Sequence, residues 1–217
     1  MNKLTIAATL IAVTSIGFGA SATKKQQVPE RLDQVRLIQP AAATKNHILV
    51  CNVANAIPAE SWGLVSTYAS SRLQLNVWTN STDKIDVPAL VGDPTKCQKD
   101  FGEKSKVCVF LVDDPKLPQF VTIPRHFCAA NVNHLKKNNP DQQTLHDRFA
   151  KTILKGMAYA AGSGATLENG CSLYYGSSTL EGLDKTGIMI TPMAYFPMLE
   201  TLRSIGDSEM LTPAMDE

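Results

Sequence analysis

The chain reads as an α/β (α+β) protein, a mixed sheet packed against helices in a single domain. Three observations predict this. Short apolar runs suited to strands alternate with stretches of helical period. The longest helical stretch, "DQQTLHDRFAKTILKGMAYAAG", carries Leu145, Phe149, Ile153, Met157 and Ala161 on one stripe. With an N-terminal leader set aside, the remaining length suits one domain with a substantial core.

In chain order, residues 1–22 predict a cleavable signal peptide. "MNK" is a short positive start, and "LTIAATLIAVTSIGFGA" is apolar but too short and too rich in small residues for a comfortable membrane span. Ala20-Ser21-Ala22 is an A-x-A cleavage signal that places the cut before Thr23. An uncleaved N-terminal anchor is the competing account. The expected location is therefore secreted or periplasmic, with no stable membrane insertion after cleavage. Residues 23–45 are polar and broken by Pro29 and Pro40, and read as a flexible leader. The domain itself is expected over 46–207, with a C-terminal tail at 208–217.

Within the domain, "HILVCNVA" suits a buried strand. "PAESWGLVSTYASSRL" opens with Pro and Glu and spaces Trp62, Val65, Tyr68, Ala69 and Leu73 as a helix does. "LQLNVWT" alternates like a half-exposed strand. "VCVFLVDD" is a further apolar run closed by Asp113, Asp114 and Pro115. "QFVTIP" predicts a short strand, followed by a loop holding His126 and Cys128. Gly162 is placed to end the long helix in a left-handed turn. A last helix through "AYFPMLETLRSI" is entered or kinked at Pro197.

The 21 basic residues nearly balance the 20 acidic ones without a basic block, which argues against nucleic acid as a partner. Five cysteines in an exported chain favour pairing, and an odd count leaves at least one unpaired. Cys97 and Cys108 flank a polar stretch and are the disulfide candidates; a bridge there would stabilise by ~2–3 kcal/mol. Buried thiols are the alternative.

The segment from Arg148 to Tyr175 resembles the active-site helix of the archaemetzincins, small zinc peptidases of the metzincin superfamily. Their helix reads approximately R-x-x-K-x-x-x-H-E-x-x-H-x-x-G-x-x-H-C, followed by C-x-M-x-aromatic and a Ser-Leu-Glu-x-x-Asp segment. Arg148 and Lys151 match the opening, and Gly162 matches the glycine. Cys171, Leu173 and Tyr175 fall at the spacing of the C-x-M-x-aromatic element, and "SSTLEGLD" follows. The similarity spans roughly residues 47–205 and implies a metzincin-like fold.

The zinc-binding motifs are degenerate. Metzincin chemistry needs two histidines four apart, a third after the glycine turn, and a glutamate as general base on metal-bound water. The corresponding places here hold Lys155, Gly156, Tyr159 and Ala165. A lysine is a cation at neutral pH, glycine offers no base, alanine no ligand, and one phenol cannot make a catalytic site. The family's second, structural zinc uses four cysteines. Thr166 stands at the first of those places and Cys171 at the second, and "GIMITPM" carries no cysteine pair. The expectation is therefore no metal and no cofactor, and zinc-peptidase activity is not carried over.

No other constellation in the sequence specifies chemistry. His47, His126, His134 and His146 include no i, i+4 pair, and His126, Cys128 and His134 match no metal motif. An aspartic pair from Asp113 or Asp114 with Asp184 lacks the usual Asp-Thr/Ser-Gly loop. The leading expectation is a non-catalytic binding or interaction protein, a pseudopeptidase whose cleft at Lys155, Tyr159 and Gly162 meets an extracellular or periplasmic protein or peptide. The alternative is a secreted hydrolase, a peptidase acting on extracellular proteins or glycoproteins through non-zinc residues.

Overall fold

The computed structural model describes residues 48–73, 77–82, 85–93, 107–123, 126–167, 171–173 and 175–204. The stretches expected to be signal peptide, leader and C-terminal tail, and Cys97, lie outside these. Strands β1 (Ile48–Val53), β2 (Val77–Thr82), β3 (Val107–Val112), β4 (Phe120–Ile123) and β5 (Phe127–Asn131) form one sheet in the order β2-β1-β3-β5-β4. Every pairing is parallel except β4 with β5, so the sheet is mixed, as expected.

Both faces of the sheet are covered, which explains why β3 reads as an unbroken apolar run. Val107, Val109 and Leu111 face one core with α1 (Ala59–Leu73) and the long α3 (Gln142–Ala160). Cys108, Phe110 and Val112 face the other, where α2 (Val87–Gly92) inserts Val87 and Leu90. Cys108 is thus buried in the central strand, and Cys97, the partner expected for it, lies outside the described residues.

Two sequence expectations are corrected. The loop expected around Cys128 is β5: Phe127 to Asn131 are all buried, with Phe127 stacked on Phe110 at 6.3 Å between ring centres. The strand expected to begin at Leu73 begins at Val77, because Leu73 is the last residue of α1. The long helix stands almost as read. Asp141 caps it by accepting the Thr144 N–H at 2.7 Å, and Gly162 ends it with φ of 82°. Ser163 N–H reaches back to the Ala158 carbonyl and Gly162 N–H to that of Tyr159, closing a Schellman turn that a residue with a Cβ would strain.

Beyond that turn the chain doubles back along α3 through a single 3-10 turn (Tyr175–Ser178), α4 (Leu180–Lys185) and α5 (Pro192–Ser204), the last carrying Pro197 inside it. The buried Tyr68 of α1 donates its hydroxyl proton to the Ile188 carbonyl, fastening this returning segment to the core. No helix among the described residues is long and apolar enough to cross a membrane.

Candidate functional site

Arg148, Lys151 and Lys155 lie at i, i+3 and i+7 along one stripe of α3, and all three are buried. Each cation fastens the returning segment. Arg148 forks onto Asp184 through Nε (2.8 Å) and an amino group (2.7 Å), and donates to the carbonyls of Leu135 (2.6 Å) and Lys137 (3.1 Å). The hydrogen bond to Asp184 raises the Arg148 pKa above its ordinary value. Lys151 donates to the Leu183 carbonyl at 2.7 Å. Lys155 donates to Ser177 Oγ at 2.9 Å and to the Ser177 carbonyl at 3.2 Å.

Lys155 differs from its neighbour Arg148 in having no carboxylate partner among the described residues. Burial alone pushes its pKa down from 10.5 to about 8. Its Nζ stands 5.4 Å from the centre of the Phe120 ring, and the same ring meets Tyr159 edge-on at 5.0 Å. Lys155 and Tyr159, one turn apart, therefore converge on the edge strand β4 as the sequence spacing implied. Burial raises the Tyr159 pKa, with the charge of Cys128 adding to it, so the phenol keeps its proton at neutral pH.

Gly156 does not join that face. It lies a helical step away, against the sheet, where a Cβ would stand 2.8 Å from Val109 Cγ1 and 3.3 Å from Ala130 Cβ. Glycine at this position is thus a close-packing requirement between helix and sheet. A glutamate here would drive its carboxylate into β3 and β5 instead of into a cleft. Nor does Ala165 meet Lys155 and Tyr159 in any described hydrogen bond or ring contact. It lines a separate cavity of about 390 Å³ with Ser163, Thr166, Leu167, Met193 and Pro197 among its walls.

The places implied for the structural zinc lie around a small apolar cluster. The backbones of Cys171 and Met189 pair in an isolated parallel β-bridge, the Thr166 N–H donates to the Leu173 carbonyl at 3.0 Å, and Ala158, Cys171, Leu173 and Ala194 pack together with Ile190 against them.

The remaining candidates are dispersed. Asp113 accepts from Lys136 and Asn133, each at 2.6 Å; burial pulls its pKa up, and these bonds outweigh it and hold the carboxyl low. Asp114 takes the Lys116 N–H in the turn before β4, and Asp184 is held by Arg148. No described hydrogen bond joins Asp113 or Asp114 to Asp184, so the geometry of a shared proton is missing. Cys128 points from β5 into the core, where burial pushes its thiol up to about 12, far from nucleophilic. His126 and His134 sit on opposite sides of that strand in sequence, His126 against the Ala160 carbonyl and His134 on the 3-10 turn Asn133–Lys136. Sequence reasoning missed Phe120 and Ser177. Ser177 opens the matched "SSTLEGLD" stretch, but no pattern gave it or Phe120 a role at the site, and only the edge strand and the returning segment bring them to α3.

Helices on both sides of a mixed five-stranded sheet, with a long α3 ended by a glycine turn, define an archaemetzincin-like α/β fold. Solved structures share it, two of them as follows. One is an archaemetzincin from Methanopyrus kandleri, 16% identical with a TM-score of 0.56, covering 76% of this chain and 99% of that one. The other is a zinc-dependent peptidase from Methanocorpusculum labreanum, 14% identical with a TM-score of 0.55, covering 70% of this chain and 99% of that one. No protein-family profile and no curated protein matches the chain. Zinc is implied by the fold, and the residues present do not fit it: an ammonium faces the ring, Gly156 has no room for a base, and Ala165 lines another cavity. Among the described residues no three His, Cys, Asp or Glu side chains group as a metal site would require.

Proposed function

We propose that this protein is an exported, non-catalytic member of the metzincin-like architecture, a pseudopeptidase that binds an extracellular or periplasmic protein or peptide at the Lys155–Tyr159 face. The observation that carries this reading is the packing of Gly156 on Val109 and Ala130. A helix that positions a general base beside a cleft needs free space at that residue, and this one is pressed onto its own sheet. Lys155 supports it further, since a buried ammonium repels a metal cation. The hydrolase alternative through Asp113, Asp114 and Asp184 finds no support, as each carboxylate has its own separate partners.

The test is hydrolysis of casein and of quenched fluorescent peptides by the secreted, mature chain, with zinc content measured on the same sample. Expected are no cleavage, no effect of o-phenanthroline, and well under one equivalent of zinc. Cleavage that co-purifies with the chain and is lost on chelation would sink the proposal. The same preparation should begin at or near Thr23.

A further inference from the structure

Lys155 is a buried cation with its charge unanswered. Only 4% of it is exposed, and no carboxylate forms an ion pair with it among the described residues. Ser177 accepts from the ammonium through its carbonyl and its hydroxyl, and among the described residues the ammonium has no third hydrogen-bond acceptor, with the Phe120 ring centre 5.4 Å away. One turn on, Tyr159 is half-buried, and its hydroxyl makes no hydrogen bond with any described residue. An ammonium and a phenol, both donors and both against one aromatic ring, suit an anion that is planar, has two acceptor oxygens and travels with apolar surface.

We propose that the Lys155–Tyr159 face of α3 is a carboxylate-binding site, taking the carboxylate of a peptide with its neighbouring apolar group against Phe120. The proposal rests on the binding reading above and names its ligand chemistry. A bound carboxylate would supply a counter-charge that the described residues do not. Engagement of the third donor leaves the bonds to Ser177 in place, and the Tyr159 hydroxyl takes the second oxygen.

The titration behaviour follows with a definite sign. In the free protein Lys155 loses its proton near pH 8, and a bound carboxylate favours the charged form and raises that value. Affinity is therefore level from about pH 6 to 8 and falls about tenfold per unit above 8 as the free protein gives up its proton. The other charged groups do not mimic this. On α3, Arg148 is paired with Asp184 of α4 and Lys151 is bonded to the Leu183 carbonyl. On neighbouring elements, the Cys128 thiol of β5 titrates near 12, and burial pulls His134 down, with the charges of Lys155 and Arg148 among the lesser contributions.

The experiment follows the Lys155 side-chain carbon resonance in full-length mature protein labelled with ¹³C-lysine. The probes are N-acetylphenylalanine, its C-terminal amide, and N-acetylglutamate α-amide, each titrated at pH 7 and pH 9.5. The expected result is at least tenfold tighter binding of a carboxylate probe than of the neutral amide, lost on going to pH 9.5. The first probe answering reports a C-terminal carboxylate, the third an acidic side chain. Lys155→Met should abolish the preference and Lys155→Arg should keep part of it. Equal binding of acid and amide, no binding of any probe, a preference that survives at pH 9.5, or one that persists in Lys155→Met would each overturn the proposal. The acid–amide contrast and the pH profile need no variant. A peptide substrate in the same tube separates the two readings, since cleavage removes the non-catalytic function while the carboxylate preference is still measured.

Discussion

The archaemetzincin resemblance implies two metal places, and this chain fills them in opposite ways. At the α3 face the filling is polar: Lys155, Ser177, Tyr159 and the Phe120 ring. Around Cys171 it is apolar, with Ala158, Leu173, Ala194 and Ile190 closed over a thiol. Apolar filling gains from burial and leaves nothing unsatisfied. Burying an ammonium without a counter-charge has a standing cost, because the cation gives up water for two neutral acceptors and a ring face. The ligand proposed above would answer that cost in the first region, and the second region has no such charge to answer.

The largest effect should come from trying to rebuild the catalytic base. Gly156→Glu forces a side chain into Val109 and Ala130 and buries a carboxylate there. The expected loss exceeds about 4 kcal/mol, seen as insoluble protein or a collapsed urea midpoint. A wild-type midpoint would mean that α3 is turned differently on the sheet. Next comes Asp184→Ala, which strips the counter-ion from the buried Arg148 and should cost about 3 kcal/mol in the same assay, with no matching loss for the exposed Glu181→Ala.

A change of opposite sign sharpens the contrast between the two regions. Lys155→Met removes a buried charge and should stabilise the protein by about 1–3 kcal/mol at pH 7. Because Lys155 titrates near 8 when folded and 10.5 when unfolded, the unfolded chain binds more protons between these values. Wild-type stability should therefore rise with pH across that window, by on the order of 3 kcal/mol, and be level below it. Lys155→Met should lack that rise; a rise that survives in the variant would assign it to another group. The smallest effect belongs to the apolar region: Cys171→Ala should cost about 1 kcal/mol, equally at pH 6 and pH 10, by chemical denaturation.

The helix, its Asp141 cap and its Gly162 stop were legible because periodicity, capping and left-handed glycine are local properties of a few neighbouring residues. So was the convergence of Lys155 and Tyr159, which follows from their spacing of four on a helix. Strand β5 was not legible. Its five residues are buried on both faces, so they show no alternation, and Cys128 within it and His126 just before it suggested a loop.

What the sequence by itself determined is the α/β alternation of strands and helices, the archaemetzincin-like pattern and the absence of histidines from its metal positions. Tertiary structure alone decided the orientations. Gly156 looked like a neighbour of the cleft and is a contact with the sheet, because the side of α3 that packs on β3 and β5 is chosen by how the whole helix sits on them. Ala165 looked like part of the same site and belongs to another cavity, because the path beyond the Gly162 turn is set by α5. The unanswered charge of Lys155 could not be read at all. A burial cost depends on which distant groups arrive, and Phe120 and Ser177 reach Lys155 from 35 residues before it and 22 after it only when the sheet edge and the returning segment close on α3.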